Sequence, residues 1–275
     1  MHLSSFSYYV LKSRGGYCTV WPRSHDVMNI AIISAMPEET RACLKAAESA
    51  ESRKIGALKA FSCRTPQHEL LLVESGMGFK NAAAAAKALL GEFRPDLLIS
   101  AGFCGGIATK LRVGDVAVST GLCIVAEGVV QHVSVEVAAA GRNFVARQSA
   151  AGARVFASLF AGTPSIMAKR EIASLLPPGA PCPVVEMESA AIAIVAVENG
   201  IPFMGIRTVS DPADEELGFS LEEFTDSHLR IRPHRVALTL LRKPWILPQL
   251  VRLARNSRIA ADRLSHAVTR LLASL

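Results

Sequence analysis

Two carboxylates at the entrance of an apolar segment form the first candidate site in the sequence. Glu186 and Glu188 flank Met187, and the small apolar residues 190–197 that follow predict a helix buried on nearly every side. A lone carboxylate at the start of such a helix is costly unless something binds it. The helix dipole gives a structural alternative, in which both glutamates only stabilise the first turn.

A third acid follows in the next segment. Residues 203–211 (FMGIRTVSD) predict a buried strand that ends in Asp211, directly after Ser210. A carboxyl group in that position can act as a general acid if its surroundings favour the protonated form. The alternative is that Asp211 caps the turn at Pro212. Arg207, on the same strand, is predicted to pair with a carboxylate such as Glu186 and not to touch a ligand.

Two glycine-rich turns follow predicted strands. Residues 75–78 (SGMG) come after strand 69–74, and residues 102–106 (GFCGG) come after strand 96–101. Glycine at such a turn lets backbone N–H groups approach a ligand closely. Neither turn completes the dinucleotide-binding fingerprint, which argues against a Rossmann dehydrogenase.

The remaining elements must position these residues. Strands are predicted at 29–34, 116–119 and within 123–137, and a helix starts at Pro37 with Glu38 and Glu39 in its first turn. Further helices are predicted at 79–93, 148–160, 167–176 and 187–199, with another after Ser220. This alternation predicts an α/β fold, a three-layer α/β/α sandwich around a mixed, twisted central sheet.

Composition and charge define the type of protein. The chain has 275 residues, half of them hydrophobic, and a net charge of +6. From residue 229 onward there are ten Lys or Arg and one acid, whereas the first 228 residues hold 20 bases and 23 acids. Because the positive charge is confined to one segment, nucleic-acid binding is not predicted. The six scattered cysteines and seven histidines show no metal-ligand spacing, so we expect no metal and a cytoplasmic location.

Three separated stretches together resemble one family. They are residues 30–39 (IAIISAMPEE), residues 99–115 (ISAGFCGGIATKLRVGD), and residues 184–211 with their EMES and RTVSD segments. This combination is similar to the nucleoside phosphorylase and nucleosidase superfamily, whose members cleave the N-glycosidic bond of purine nucleosides. The resemblance implies the same α/β/α fold, a homo-oligomer, and no cofactor apart from phosphate as a co-substrate.

The resemblance also assigns roles. It implies that Asp211 is the general acid that protonates the departing base and that Glu39 activates water. Glu188 would bind the ribose hydroxyls, with Met187 packed against the sugar. The implied base-binding residues are Ser165, Ile166 and Ser210, and the implied nucleophile or phosphate loop consists of Gly76, Gly102 and Phe103.

The chain departs from the family pattern at two of these positions. Phe103 stands where the nucleosidases have a small hydroxyl residue, and Ser165 stands where they have an aromatic residue that stacks on adenine. Glu39 favours water as nucleophile, whereas Arg41, Lys80 and the glycine turns leave an anion site for phosphate open. A non-catalytic nucleoside-binding protein is a further alternative, against which the retention of Asp211, Glu188 and Glu39 argues.

The C-terminal segment resembles a subgroup. Residues 241–275 are similar to the extension of hopanoid-associated phosphorylases, which implies adenosylhopane, a lipid-linked nucleoside, as substrate. Methylthioadenosine or S-adenosylhomocysteine is the alternative substrate. The predicted domains are a disordered extension at 1–27, the catalytic domain at 28–240, and a basic amphipathic helical tail at 241–275.

The tail has two predicted roles. At helical spacing, one face carries Leu250, Leu253, Leu264, Val268 and Leu271, and the opposite face carries Arg252, Arg255, Arg263 and Arg270. Such a helix can lie on an anionic membrane surface, which predicts peripheral contact with the inner membrane. The alternative is a helix packed on the domain or on another subunit.

Overall fold

The computed structural model describes residues 9–13, 16–20, 27–215, 224 and 233–275. Ten strands form one mixed sheet, confirming the predicted fold class. Its strands are β3 (Asn29–Ser34), β4 (Ser49–Ile55), β5 (Leu58–Arg64), β6 (Glu69–Glu74), β7 (Leu97–Gly106), β8 (Val116–Ala126), β9 (Val129–Val133), β10 (Val155–Gly162), β11 (Val184–Glu186) and β12 (Phe203–Asp211). A separate antiparallel hairpin precedes the sheet, made of β1 (Tyr9–Ser13) and β2 (Gly16–Val20).

Seven α-helices lie in the described part of the chain. They are α1 (Pro37–Leu44), α2 (Phe79–Glu92), α3 (Ala139–Ala150), α4 (Lys169–Leu175), α5 (Ser189–Glu198), α6 (Pro233–Arg242) and α7 (Leu247–Leu272). A short 3-10 helix, Pro244–Ile246, joins the last two. As predicted, α5 is buried on most of its surface, because its small apolar side chains pack against both α2 and the sheet.

The strand order brings the candidate residues to one edge of the sheet. The order is β11-β10-β8-β12-β7-β3-β6-β5-β4, with β9 paired to β8. Strands β3, β7 and β12 run parallel to one another, so the segments after them meet at their carboxyl ends. Strand β11 also pairs with the end of β7, which brings residues 184–186 beside the glycines at 105 and 106.

Two parts of the sheet differ from the prediction. The helix predicted at 148–160 is wrong, because α3 ends at Ala150 and residues 155–162 form β10, parallel to β8. Periodicity cannot distinguish a helix from a strand when an apolar run is short. In the structure a turn at Gly152 (φ +74°) lies between α3 and β10. The pair β4 and β5 was not predicted, and the helix predicted after Ser220 lies outside the described residues.

The C-terminal helix belongs to the same core as the sheet. Leu264, Val268 and Leu271 are fully buried, and α7 packs on β12 and α1. The Thr208 hydroxyl on β12 donates to the carbonyl oxygen of Ala260 on α7 (3.0 Å). The predicted alternative, a helix packed on the domain, therefore describes residues 260–272. None of the described helices is both long and apolar enough to cross a membrane.

Candidate active site

A buried arginine lies at the centre of the site. The Arg207 side chain is 2% exposed and its Nη2 lies 2.7 Å from Glu186 Oε2 and 3.3 Å from Glu188 Oε2. The same nitrogen donates to the hydroxyls of Ser100 and Ser189, both at 3.1 Å. The predicted pairing of Arg207 with Glu186 is therefore confirmed, and the arginine holds the start of α5 against strands β7 and β12.

The two glutamates before α5 have different tasks. Glu186 Oε2 accepts the backbone N–H groups of Glu188 (3.0 Å) and Ser189 (2.7 Å), so Glu186 caps the helix. Glu188 turns instead towards the first glycine turn, where the N–H of Gly78 donates to its Oε1 (2.9 Å). Gly78 has φ +93°, a backbone conformation that residues with a side chain rarely adopt. The dipole alternative thus applies to Glu186, whereas the ribose-binding role of Glu188 stays a prediction.

Glu39 enters the site from the first turn of α1. Its Oε2 accepts the N–H groups of Ala35 (2.8 Å) and Met36 (2.9 Å), and its Oε1 accepts that of Phe103 (2.7 Å). Arg207 Nη1 lies 4.0 Å from the same Oε1. A carboxylate offers about four lone-pair positions, so three N–H donors leave room for one more hydrogen-bond partner.

Gly102 allows this close arrangement. A Cβ at this position would clash with Arg207 Nη1 and would lie 2.5 Å from Glu39 Oε1. Phe103, whose aromatic side chain cannot bind phosphate or water, contributes through its backbone: its N–H donates to Glu39 and its carbonyl accepts from Arg207 (3.4 Å).

Asp211 ends β12 beside these carboxylates. The Ser210 hydroxyl lies 2.6 Å from Asp211 Oδ1, which places Ser210 next to the acid. Lys169, the first residue of α4, lies with its Nζ 2.5 Å from Asp211 Oδ2. Asp211 is thus held from both sides at the edge of the site.

Burial and mutual repulsion change the ionisation of the carboxylates. Desolvation raises the pKa of Glu39, with Arg207 and the backbone N–H groups opposing it. Desolvation likewise raises the pKa of Glu188 to about 7, opposed by Arg207 and assisted by the neighbouring Glu186 and Glu39. Burial alone would lower the pKa of Arg207, but the three carboxylates raise it above its usual value. The site therefore contains carboxyl groups that exchange protons closer to neutral pH than ordinary glutamates do.

The other predicted residues lie around this centre. Met187 is half-buried between Glu186 and Glu188 and lies outside the hydrophobic clusters of the described core. Ser165 and Ile166 are exposed in the turn before α4. Gly76 belongs to the turn that carries Gly78 and has φ +81°. The base, sugar and nucleophile roles assigned to these residues stay predictions.

Two contacts of the site were not predicted. Lys169 lies 42 positions before its partner Asp211, and the hydrogen bond from Gly78 to Glu188 spans 110 positions. The glycine turn at 75–78 was recognised as a place where N–H groups can approach a ligand, but its carboxylate partner was not. Lys169 carried no signal, because nothing in the spacing of a helix-start lysine specifies its partner.

A mixed sheet with carboxylates gathered at or after the ends of β3, β11 and β12 defines the class as an α/β enzyme with an acid–base site. The chain belongs to the phosphorylase superfamily, whose family model matches residues 29–242. It is therefore an enzyme of the nucleoside phosphorylase and nucleosidase class, as the sequence resemblance predicted.

Named relatives support the same assignment. A 5′-methylthioadenosine/S-adenosylhomocysteine nucleosidase from Geobacillus kaustophilus is 35% identical over 223 residues, which cover 73% of this chain and 91% of the relative. One from Actinobacillus succinogenes is 32% identical over 212 residues, covering 72% and 91%.

Solved structures share the fold. The S-adenosylhomocysteine nucleosidase of Streptococcus pyogenes, in complex with 5-methylthiotubericidin, has a TM-score of 0.71 at 22% identity, covering 92% of this chain and 99% of that one. The methylthioadenosine/S-adenosylhomocysteine nucleosidase of Neisseria meningitidis, in complex with methylthio-immucillin-A, has a TM-score of 0.68 at 23% identity, covering 90% and 99%.

Proposed function

We propose that this enzyme releases adenine from a 5′-substituted adenosine by hydrolysis of the N-glycosidic bond. The observation that carries the proposal is that three carboxyl groups lie at one edge of the sheet: Glu188 and Glu39 on either side of the buried Arg207, and Asp211 at the end of the same strand, over Gly105 of β7. The naming of the relatives as methylthioadenosine/S-adenosylhomocysteine nucleosidases supports a 5′-thioether substituent. This is the alternative substrate of the sequence analysis, and the comparisons favour it over adenosylhopane.

Each carboxyl group has a separate task in this reaction. A departing purine is a poor leaving group until it is protonated, and Asp211 supplies that proton as general acid. Glu188 accepts hydrogen bonds from the ribose hydroxyls, and its charge stabilises the cationic sugar of the transition state. Glu39 takes a proton from the attacking water, and its raised pKa suits a general base that works near neutral pH.

The arrangement of cations supports water over phosphate as nucleophile. Arg207 is held by Glu186 and Glu188, and Lys169 by Asp211. Arg41, a candidate for a phosphate site, pairs at 2.7 Å with Glu38 on the exposed side of α1. A phosphate dianion would need cations that these carboxylates now occupy, which leaves Lys80, exposed in the first turn of α2, as the remaining candidate.

Adenine release tests the proposal directly. We expect the full-length protein to release adenine from methylthioadenosine at a rate that does not change when phosphate is added, with a free reducing sugar as the second product. A phosphate requirement together with a sugar 1-phosphate product would show phosphorolysis instead. Failure to release adenine from methylthioadenosine, adenosine and adenosylhopane alike, together with tight nucleoside binding, would favour the non-catalytic alternative.

A lipid-linked 5′ substituent is a second candidate, supported by one surface. The tail patch consists of exposed apolar side chains on α6, the 3-10 helix and α7: Leu238, Leu241, Trp245, Leu247 and Val251. Leu241 is 83% exposed and Trp245 70% exposed, which is unusual for large apolar residues. The same stretch of α7 touches the segment after the acid, since Asn256 Nδ2 lies 3.4 Å from Glu215 Oε2.

The tail patch consists of other residues than the apolar face that the sequence predicted to contact the membrane. Leu250 and Leu253 pack with Ile246 in a small cluster, and the remaining three residues of the predicted face are buried against the domain. Residues 233–261 contain six Lys or Arg and no Asp or Glu, so the patch lies in a wholly cationic stretch. We propose that peripheral membrane contact, where it occurs, uses this patch on an anionic surface.

Liposome sedimentation tests the patch. Deletion of the tail is unsuitable because α7 is part of the core, so we choose the double variant Leu241→Glu/Trp245→Glu and, as control, Val129→Glu at an exposed position on β9. We expect wild type and control to bind anionic vesicles and the double variant to lose binding. If wild type ignores the vesicles and the double variant changes the mass in solution, the patch is an interface between copies of the chain.

A further inference from the structure

Lys169 is a charged residue of the site to which the proposed reaction gives no task. Its side chain is 11% exposed, and its Nζ lies 2.5 Å from Asp211 Oδ2. The same Nζ donates to the backbone carbonyl oxygens of Asp211 (3.3 Å), Pro212 (2.6 Å) and Glu215 (3.0 Å). The lysine therefore connects the start of α4 to the acid and to the segment that follows it.

The Lys169 ammonium group is surrounded by oxygen atoms. Three of them are backbone carbonyl oxygens, which can only accept, and the fourth is Asp211 Oδ2. Lys169 has three N–H donors for these four oxygen atoms. The lysine thus places a cation directly against the carboxyl group of Asp211 and ties it to the backbone that follows.

Strand β7 leaves space for this pair. A Cβ on Gly105 would lie 2.9 Å from Asp211 Oδ2 and 3.1 Å from Lys169 Cε, both too close for an ordinary contact. The absence of a side chain at Gly105 lets the acid and the lysine lie directly over the end of the strand. Three elements, α4, β7 and β12, therefore fix the position of one carboxyl group.

We propose that Lys169 is a positioning residue of the reaction: it orients the Asp211 carboxyl group and stabilises the charge that Asp211 gains on protonating the base. The proposal rests on the proposed function. The proton passes from Asp211 to the purine, and the electrons of the C1′–N9 bond move to the departing base. Water gives its hydroxide to C1′ and its proton to Glu39, while Lys169 keeps its three protons throughout.

This role has a consequence for the choice of leaving group. A cation beside Asp211 stabilises the negative charge that the carboxyl group gains when its proton leaves, so the lysine should assist only a reaction whose leaving group needs that proton. The other titratable or charged groups near the pair are unchanged by substitution of Lys169 and act equally in both proteins: Cys104, Glu186, Arg207, Glu215 and Arg252.

The test compares Lys169→Met, Lys169→Arg and the control Lys87→Met, which removes an exposed lysine on α2. Two substrates are used between pH 5 and 10: methylthioadenosine, and p-nitrophenyl riboside, whose leaving group needs no proton. For Lys169→Met we expect kcat for methylthioadenosine to fall about 10- to 100-fold, part of what one general acid contributes, with KM within about threefold.

The second substrate and the arginine variant sharpen the result. We expect Lys169→Met to cleave p-nitrophenyl riboside within about threefold of wild type, because that reaction needs no acid. Lys169→Arg keeps the charge and should restore part of the lost kcat for methylthioadenosine. The lysine control should match wild type on both substrates.

Several results would overturn the proposal. Equal losses on both substrates would mean that Lys169 only maintains the fold. A KM for methylthioadenosine that rises while kcat stays at the wild-type value would mean that Lys169 acts on binding and not on the acid. Asp211→Asn is measured in parallel. If Asp211→Asn and the Lys169 variants all keep wild-type kcat, the proposed function fails. If only the Lys169 variants keep it, this inference alone fails.

Discussion

Replacing Glu188 by glutamine should change how the stability of the protein depends on pH. The amide keeps an oxygen that can accept the Gly78 N–H, and the other position places an NH2 group near Arg207 Nη2, 3.3 Å away in the native pair. The substitution conserves size and removes one titrating group. It therefore isolates the contribution of proton uptake at a single buried site.

The size of the effect follows from the pKa of Glu188. It is raised from 4.5 to about 7 in the folded protein, so the folded state binds a proton more tightly than the unfolded state does. The stabilisation from that proton is fully present below pH about 4.5 and is lost as the pH rises through about 7. At about 1.4 kcal/mol for each pKa unit, wild type should lose roughly 2–3 kcal/mol between pH 5 and 8 through this group.

Urea unfolding at pH 5, 6, 7 and 8, followed by circular dichroism, measures this loss. We expect the free energy of unfolding of Glu188→Gln to change less between pH 5 and 8 than that of wild type, by roughly 2–3 kcal/mol. Glu38→Gln is the matched control, because Glu38 is an exposed carboxylate on α1 that pairs with Arg41. If wild type and Glu188→Gln lose equal stability over this range, Glu188 does not titrate as described.

Three further substitutions test the acid and the packing around the site. Asp211→Asn should lower kcat for adenine release by roughly 10²–10⁴ with little change in nucleoside binding, since an amide cannot deliver the proton; retention of more than about a tenth of wild-type kcat would exclude Asp211 as the acid. Gly102→Ala should lower the free energy of unfolding by about 2–4 kcal/mol, because its Cβ would displace Arg207 and Glu39. The control Gly91→Ala, in open space on α2, should be neutral or slightly stabilising in the same urea titration. Leu264→Ala should cost about 2–5 kcal/mol, because this residue of α7 is fully buried in the core; a loss below 1 kcal/mol in thermal or urea unfolding would contradict that packing.

Local patterns in the sequence were enough for the main elements and for the identity of the acids. The apolar run after Glu188 predicts a buried helix because it has no polar face, and α5 is buried as expected. The strand ending in Asp211 was recognisable because residues 203–209 are mostly apolar or β-branched, although they include Arg207. These features depend on residues close in the chain, where periodicity and burial are directly related.

The tertiary structure decided which of these residues meet and what each one does. The division between Glu186, which caps α5, and Glu188, which faces the site, depends on Arg207 and on the N–H of Gly78, 110 positions away. The same holds for the tail, whose apolar face is equally compatible with a membrane and with a domain until α7 is seen to pack on β12. Hydrophobic periodicity predicts that a helix face will be buried, but it does not identify the surface on which that face packs. In the same way, the pairing of Lys169 with Asp211 arises only when α4 and β12 come together.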